Sequence, residues 1–211
     1  MRTEMKQRFF LFYSYLYHTL RNRFTQRIYF CYTFSMAFVL YRVPNSEVAC
    51  DEAETARYLG YSRSSPPDGQ TASLIRSACS ELRSVIVPQA VYDIFPLHHD
   101  GLTRFSFAGE SMISEDLSRN LDHCTDVALF AATLGPKADA LIRRTQASDS
   151  ARAAVLQAAG AMFIESFVDS LDRVITDRFA AQEKKTHPRY SPGYGDVPLE
   201  TQRIFFSLLP C

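Results

Sequence analysis

The sequence lacks the two commonest glycine-rich cradles for phosphate. Neither Gly-x-Gly-x-x-Gly nor the P-loop pattern occurs. It has no Cys-x-x-Cys pair either. The five cysteines, Cys31, Cys50, Cys79, Cys124 and Cys211, are odd in number and show no zinc-site spacing. That argues against a disulfide framework and for a reducing, cytoplasmic setting in which they serve as small apolar fillers. Net charge is absent, with 23 basic and 23 acidic residues. No basic stripe outside the first segment points to nucleic acid. His98 and His99 stand beside Asp100 but have no further ligand at supporting spacing, so no metal site is expected. His123-Cys124 is equally isolated, without the orienting third group that a cysteine nucleophile needs. No catalytic side chain is nominated.

What is present is unevenly spread. Residues 1–43 hold seven basic residues against the single acid Glu4, and 13 of the 27 Phe and Tyr residues. This break places a boundary near Val43-Pro44-Asn45, separating a basic, aromatic-rich extension from a domain over 44–211. The extension's longer apolar run, Ile28 to Tyr41, falls short of the ~20 residues a membrane-spanning helix needs, and no signal-peptide cleavage site follows the first run. Two readings stand: a segment lying on an anionic membrane surface, or upstream sequence preceding a true start at Met36.

Along the rest of the chain, Glu47 to Cys50 reads as a short strand, and Asp51 as the cap of a helix that Gly60 ends. Thr71 to Val87 reads as an amphipathic helix with Leu74, Ala78, Leu82 and Val85 inward, stopped by Pro88. Ala90 to Leu97 and Leu102 to Ala108 read as strands around a turn at His98-His99-Asp100-Gly101. Ser114 caps a helix to Leu121, Asp126 to Thr133 is a strand, and Gly135-Pro136 opens a helix. The longest helix spans about 149–181, with Leu156, Gly160, Ile164, Phe167, Leu171 and Val174 facing the core. Pro198 opens a last helix to Leu209. Separated strands and long helices predict an α+β fold, a mostly antiparallel sheet packed with helices.

Arg189-Tyr190-Ser191-Pro192-Gly193-Tyr194-Gly195-Asp196 is the segment most suited to function. Pro192-Gly193 demands a turn, since proline presets one backbone angle and glycine accepts the unusual next one. The loop therefore has a defined shape and carries a permanent guanidinium, which can grip a carboxylate or phosphate with two parallel hydrogen bonds. Its plainer reading is a rigid linker with a solvated arginine. On the long helix, Glu165, Asp169 and Asp172 share one face at spacings of four and three; by spacing alone they are a solvated row.

The Arg-x-x-Pro-Gly-Tyr segment, followed by Pro-Leu-Glu and a short apolar helix, resembles the activation domain of cobalamin-dependent methionine synthase. Two further segments match in the family's order: Asp126 to Gly135, and the helix around Ala158-Ala159-Gly160 and Ile164-Glu165. The resemblance covers roughly residues 45–209 and implies a stand-alone relative of that domain. It implies S-adenosylmethionine as ligand, contacted by Glu165, Arg189, Tyr190, Ser191, Gly193 and Tyr194. Arg189 would take the ligand's carboxylate, Glu165 its positive groups, and Tyr194 would lie near the methyl donor. Cobalamin held by a separate methionine synthase protein, and a flavodoxin-like electron donor, are the implied partners. The family continues with a further strand beyond Leu209-Pro210-Cys211, and its early acidic contact has no match near residues 45–60. A truncated relative, or a scaffold that keeps the fold without the ligand, is the alternative these departures leave open.

Overall fold

The computed structural model describes residues 38–210. The aromatic runs before Ala37, Cys31 and Cys211 lie outside the described residues. Among the described residues the architecture is α+β, with a five-stranded antiparallel sheet and six helices. The chain divides into two compact units. One holds Arg42–Gln89 and Ala132–Asp172; the other holds residues 38–41, Ala90–Ala131 and the chain from Arg173 onward.

In the first unit, Asn45–Glu47 is a 3-10 turn rather than the start of the expected strand. The backbone there is tied to a helix and not to a sheet. The Val48 carbonyl accepts from Arg83 Nη2 at 2.9 Å, and Asn45 donates to the Arg83 carbonyl at 2.9 Å. Helix α1 (Glu52–Tyr58) follows. Its cap is Asp51, which accepts from the Ala53 and Glu54 amides, and Gly60 leaves it with φ +97°. Helix α2 (Gly69–Val85) is capped by Asp68 and buries Ile75, Ala78, Cys79 and Leu82. That stripe shares Ala78 and Leu82 with the expected one, while Ile75 and Cys79 are buried where Leu74 and Val85 are only half-buried.

Helix α4 (Pro136–Gln146) begins at Gly135, whose φ of +86° and missing side chain let the strand-to-helix corner form beside Val87. Helix α5 (Ser150–Ala180) is 31 residues long. Asp149 caps it by accepting from the Arg152 amide at 2.9 Å. Leu156, Phe163, Phe167 and Leu171 are fully buried, each contributing roughly 2–3 kcal/mol of apolar burial. Gly160 is buried between Leu82 and Ile142. Val174, expected inward, is instead 38% exposed, and Ile175 takes its place at the four-residue step from Leu171. Helix α5 is the one described helix long and apolar enough to cross a bilayer, and 61% of its most apolar 18-residue stretch is buried inside the fold.

The second unit is built on the sheet. Strand β1 (Val39–Arg42) pairs with β2 (Gln89–His99), which also pairs with β5 (Asp126–Thr133). Eleven residues make β2 long enough to serve three partners. Its far end, Leu97–His99, pairs antiparallel with β3 (Arg104–Phe107), which pairs antiparallel with β4 (Glu110–Ile113). His98 and His99 are thus strand residues, opposite Ser106 and Phe105, and the turn falls after them. Phe105, Phe107, Leu97, Leu129, Ala131 and Val197 form part of the core on one side of this sheet. Helix α3 (Glu115–Asn120) follows β4, and helix α6 (Gln202–Leu208) closes the described chain after a 3-10 turn at Leu199–Thr201.

Candidate functional site

The loop from His187 to Val197 belongs to the second unit and is fastened along helix α3. Its shape starts with the predicted turn. The Tyr194 amide donates to the Ser191 carbonyl at 3.2 Å, closing a four-residue turn with proline second and glycine third. Gly193 has φ +91°, the left-handed value a type II turn requires at that place. A second pair of bonds tightens the base: Gly193 N–H to the Val197 carbonyl at 2.9 Å, and Val197 N–H to the Tyr194 carbonyl at 3.0 Å. Pro192 and Val197 are buried, so the turn is seated by apolar contact as well.

Two clusters bind this loop to helix α3. At the helix's start, the Asp196 carboxylate accepts from the Ser114 hydroxyl, from the Glu115 amide at 2.6 Å and from the Asp116 amide at 3.4 Å. Ser114, itself buried, accepts in turn from the Leu117 amide at 2.9 Å. These donors hold the Asp196 carboxyl below the usual carboxylate range, the Ser114 hydroxyl contributing most. At the helix's end, Asn120 Nδ2 donates to the Pro188 carbonyl at 3.0 Å, and His187 Nδ1 donates to the Asn120 carbonyl at 2.6 Å.

Between these fastenings sit five of the six residues nominated from the sequence. Arg189 and Ser191 are exposed. Tyr190 turns its ring onto the core of the second unit, and its hydroxyl donates to the Tyr194 carbonyl at 3.2 Å. Burial, then the Asp116 and Asp196 carboxylates, push its phenol above the ordinary range. Tyr194 keeps its side chain 39% exposed. Gly195 has no room for a side chain: a Cβ there would run into the Asp116 carboxylate and the Tyr190 hydroxyl. Arg189, Tyr190, Ser191, Gly193 and Tyr194 therefore lie together on one shaped segment. Glu165 is half-buried on the part of α5 that belongs to the first unit. Its neighbours Asp169 and Asp172 are exposed and half-buried.

Asp196, Ser114 and Asn120 were not nominated by sequence reasoning. The signal was present in part: Ser114 was legible as a helix cap, and Asp196 closes the resembling segment. Nothing local ties the two, which stand 82 residues apart. Among the described residues no group of three or more His, Cys, Asp or Glu is placed to hold a metal ion.

No protein-family model matches the sequence, and no curated protein matches it. Among solved structures the chain is similar to the crystal structure of the MetH reactivation domain bound to AdoHcy. The TM-score is 0.60 at 14% sequence identity, over 84% of this chain and 71% of that one. The chain shares the fold of that reactivation domain.

Proposed function

We propose that the protein is an S-adenosylmethionine-binding accessory domain that supports reductive methylation of cob(II)alamin in cobalamin-dependent methionine synthesis. One conjunction carries the reading. The fold is that of a reactivation domain whose solved structure holds AdoHcy, and the Arg189–Tyr194 segment that resembles the family's ligand loop is a seated turn in which Arg189 is an exposed residue.

The chemistry suits these residues. S-adenosylmethionine carries a carboxylate, an amino group and a sulfonium. Arg189 takes the carboxylate in a bidentate grip. Glu165 attracts the positive end, an interaction that strengthens where water is partly excluded. Ser191 offers its hydroxyl. The Gly193 amide is committed to Val197, so its carbonyl is the backbone group it presents. The exposed ring of Tyr194 covers the ligand's methyl side or the edge of the corrin. None of these groups is a nucleophile or general base. The domain contributes positioning, which can supply a substantial share of a barrier reduction. The methyl group comes from the sulfonium and the electron from a flavodoxin-like donor. A separate cytoplasmic methionine synthase protein holds the cobalamin.

Calorimetric titration of the full chain with S-adenosylmethionine tests this. Full-length protein is preferable because β1 precedes the boundary at Val43. Saturable heat that vanishes in Arg189→Ala and weakens in Glu165→Ala is the expected result. Absence of heat and of any thermal shift at millimolar ligand would instead indicate a scaffold that keeps the fold alone.

A further inference from the structure

Both Asp196 oxygens are occupied by the first turn of helix α3: one by the Ser114 hydroxyl and the Asp116 amide, the other by the Glu115 amide. At the opposite end of the same helix, Asn120 holds Pro188 through its side chain and His187 through its carbonyl. A six-residue helix is only about 9 Å long. Residues 189–195, drawn out fully, would reach about 24 Å. With its ends fixed so close together, the segment must bow out from the helix, and the Ser191–Tyr194 turn is where it reverses. Helix α3 therefore sets how far apart the ends of the loop stand, and so where Arg189 and Tyr194 project.

The strap is protected from its own charge. Glu115, Asp116 and Asp196 bring three carboxylates to one turn. Arg119 offsets two of them, at 3.0 Å from Glu115 and 3.0 Å from Asp116. Gly195, against Asp116 and Tyr190, keeps the strap flush with the helix.

We propose that Asp196 is a positioning residue for the ligand loop: by gripping the start of helix α3 it fixes the Arg189 guanidinium and the Tyr194 ring where the methyl donor needs them. This rests on the reading of the loop given above. The consequence is that affinity depends on a carboxylate engaged by the first turn of helix α3, and on a helix that carries none of the proposed ligand-contacting residues.

The test uses the full chain and its Asp196→Asn, Ser114→Ala and Ser114→Thr variants, titrated with S-adenosylmethionine at pH 7. Amide hydrogen exchange is followed in each. Asp196→Asn and Ser114→Ala should each lose about tenfold or more in affinity, equivalent to some 1.4 kcal/mol, while Ser114→Thr, which keeps the hydroxyl, retains it. Exchange should quicken over residues 188–197 and stay unchanged in helix α2. Wild-type affinity in Asp196→Asn would overturn the proposal, as would exchange that quickens evenly through the chain. If the wild type itself gives no heat, the ligand reading fails separately. Exchange then decides: unaltered protection of 188–197 in Asp196→Asn overturns the strap, and loss confined to that segment supports it.

Discussion

Ser114 donates its hydroxyl hydrogen to Asp196 while accepting the Leu117 amide, so one buried side chain both caps helix α3 and holds the loop. Replacing it by alanine removes both bonds and leaves the Leu117 amide without its cap. Ser114→Ala should cost about 1–2 kcal/mol of unfolding free energy. Urea denaturation measures this, and a change below a few tenths would show that the cap carries no weight.

Acid should loosen the loop that Asp196 holds in the second unit. The Asp196 carboxyl is held low chiefly by the Ser114 hydroxyl, and that of Asp126 chiefly by Lys184, then Thr125. A folded value below the unfolded one, about 3.9 for aspartate, means that each contribution is fully present above about pH 4. It is lost as pH falls through the folded value. Glu115, Asp116, Arg119 and Tyr190 surround Asp196. The protection of residues 188–197 relative to intrinsic amide exchange, which itself slows as pH falls, should therefore be steady from pH 7 to about 4 and weaken below. Stronger protection on acidification would contradict the assignment.

Two glycines with positive φ should respond differently to alanine. Gly60 has φ +97° and open space around its missing Cβ, so Gly60→Ala costs only backbone strain, about 1 kcal/mol. Gly195, with φ +51°, faces the Asp116 carboxylate and the Tyr190 hydroxyl. Gly195→Ala must displace both, so it should cost more than Gly60→Ala and also weaken S-adenosylmethionine binding. Paired denaturation and titration experiments compare the two; equal losses in stability would count against a tight strap.

Gly160 presents the opposite case. A Cβ there would sit 3.7 Å from Leu82 Cδ2 and 3.8 Å from Ile142 Cδ1, which is ordinary contact. Alanine is also the better helix former by about 1 kcal/mol. Gly160→Ala should raise the stability of the protein by roughly 0.5–1 kcal/mol, seen as a higher urea midpoint at constant slope.

Local chemistry was legible in the sequence wherever a cap or a turn fixes the backbone. Asp51, Ser114 and Pro136 mark the helix starts that the structure shows, and Asp126–Thr133 is a strand over its expected length. The Pro192-Gly193 turn followed from the two residues' backbone angles. What escaped was set by distant partners. Glu110–Ile113 has too little apolar character to signal a strand; it pairs because β3 lies beside it. Val39–Arg42 was hidden by a composition break that pays no regard to sheet pairing. Glu47–Cys50 looked like a strand because nothing local reveals that Arg83 takes the Val48 carbonyl. The loop's turn was readable for the same reason the caps were, and its fastening to helix α3 was not, because Asp196 and Ser114 are far apart in the chain.

Strand β1 has a practical consequence for anyone preparing the protein. A version trimmed at the composition boundary would begin after Arg42 and strip a neighbour from β2. The bared edge would offer its amides and carbonyls to any extended chain nearby, and such edges recruit strands from other molecules. Insolubility of a fragment starting at Asn45 would then report a missing strand rather than an unstable domain.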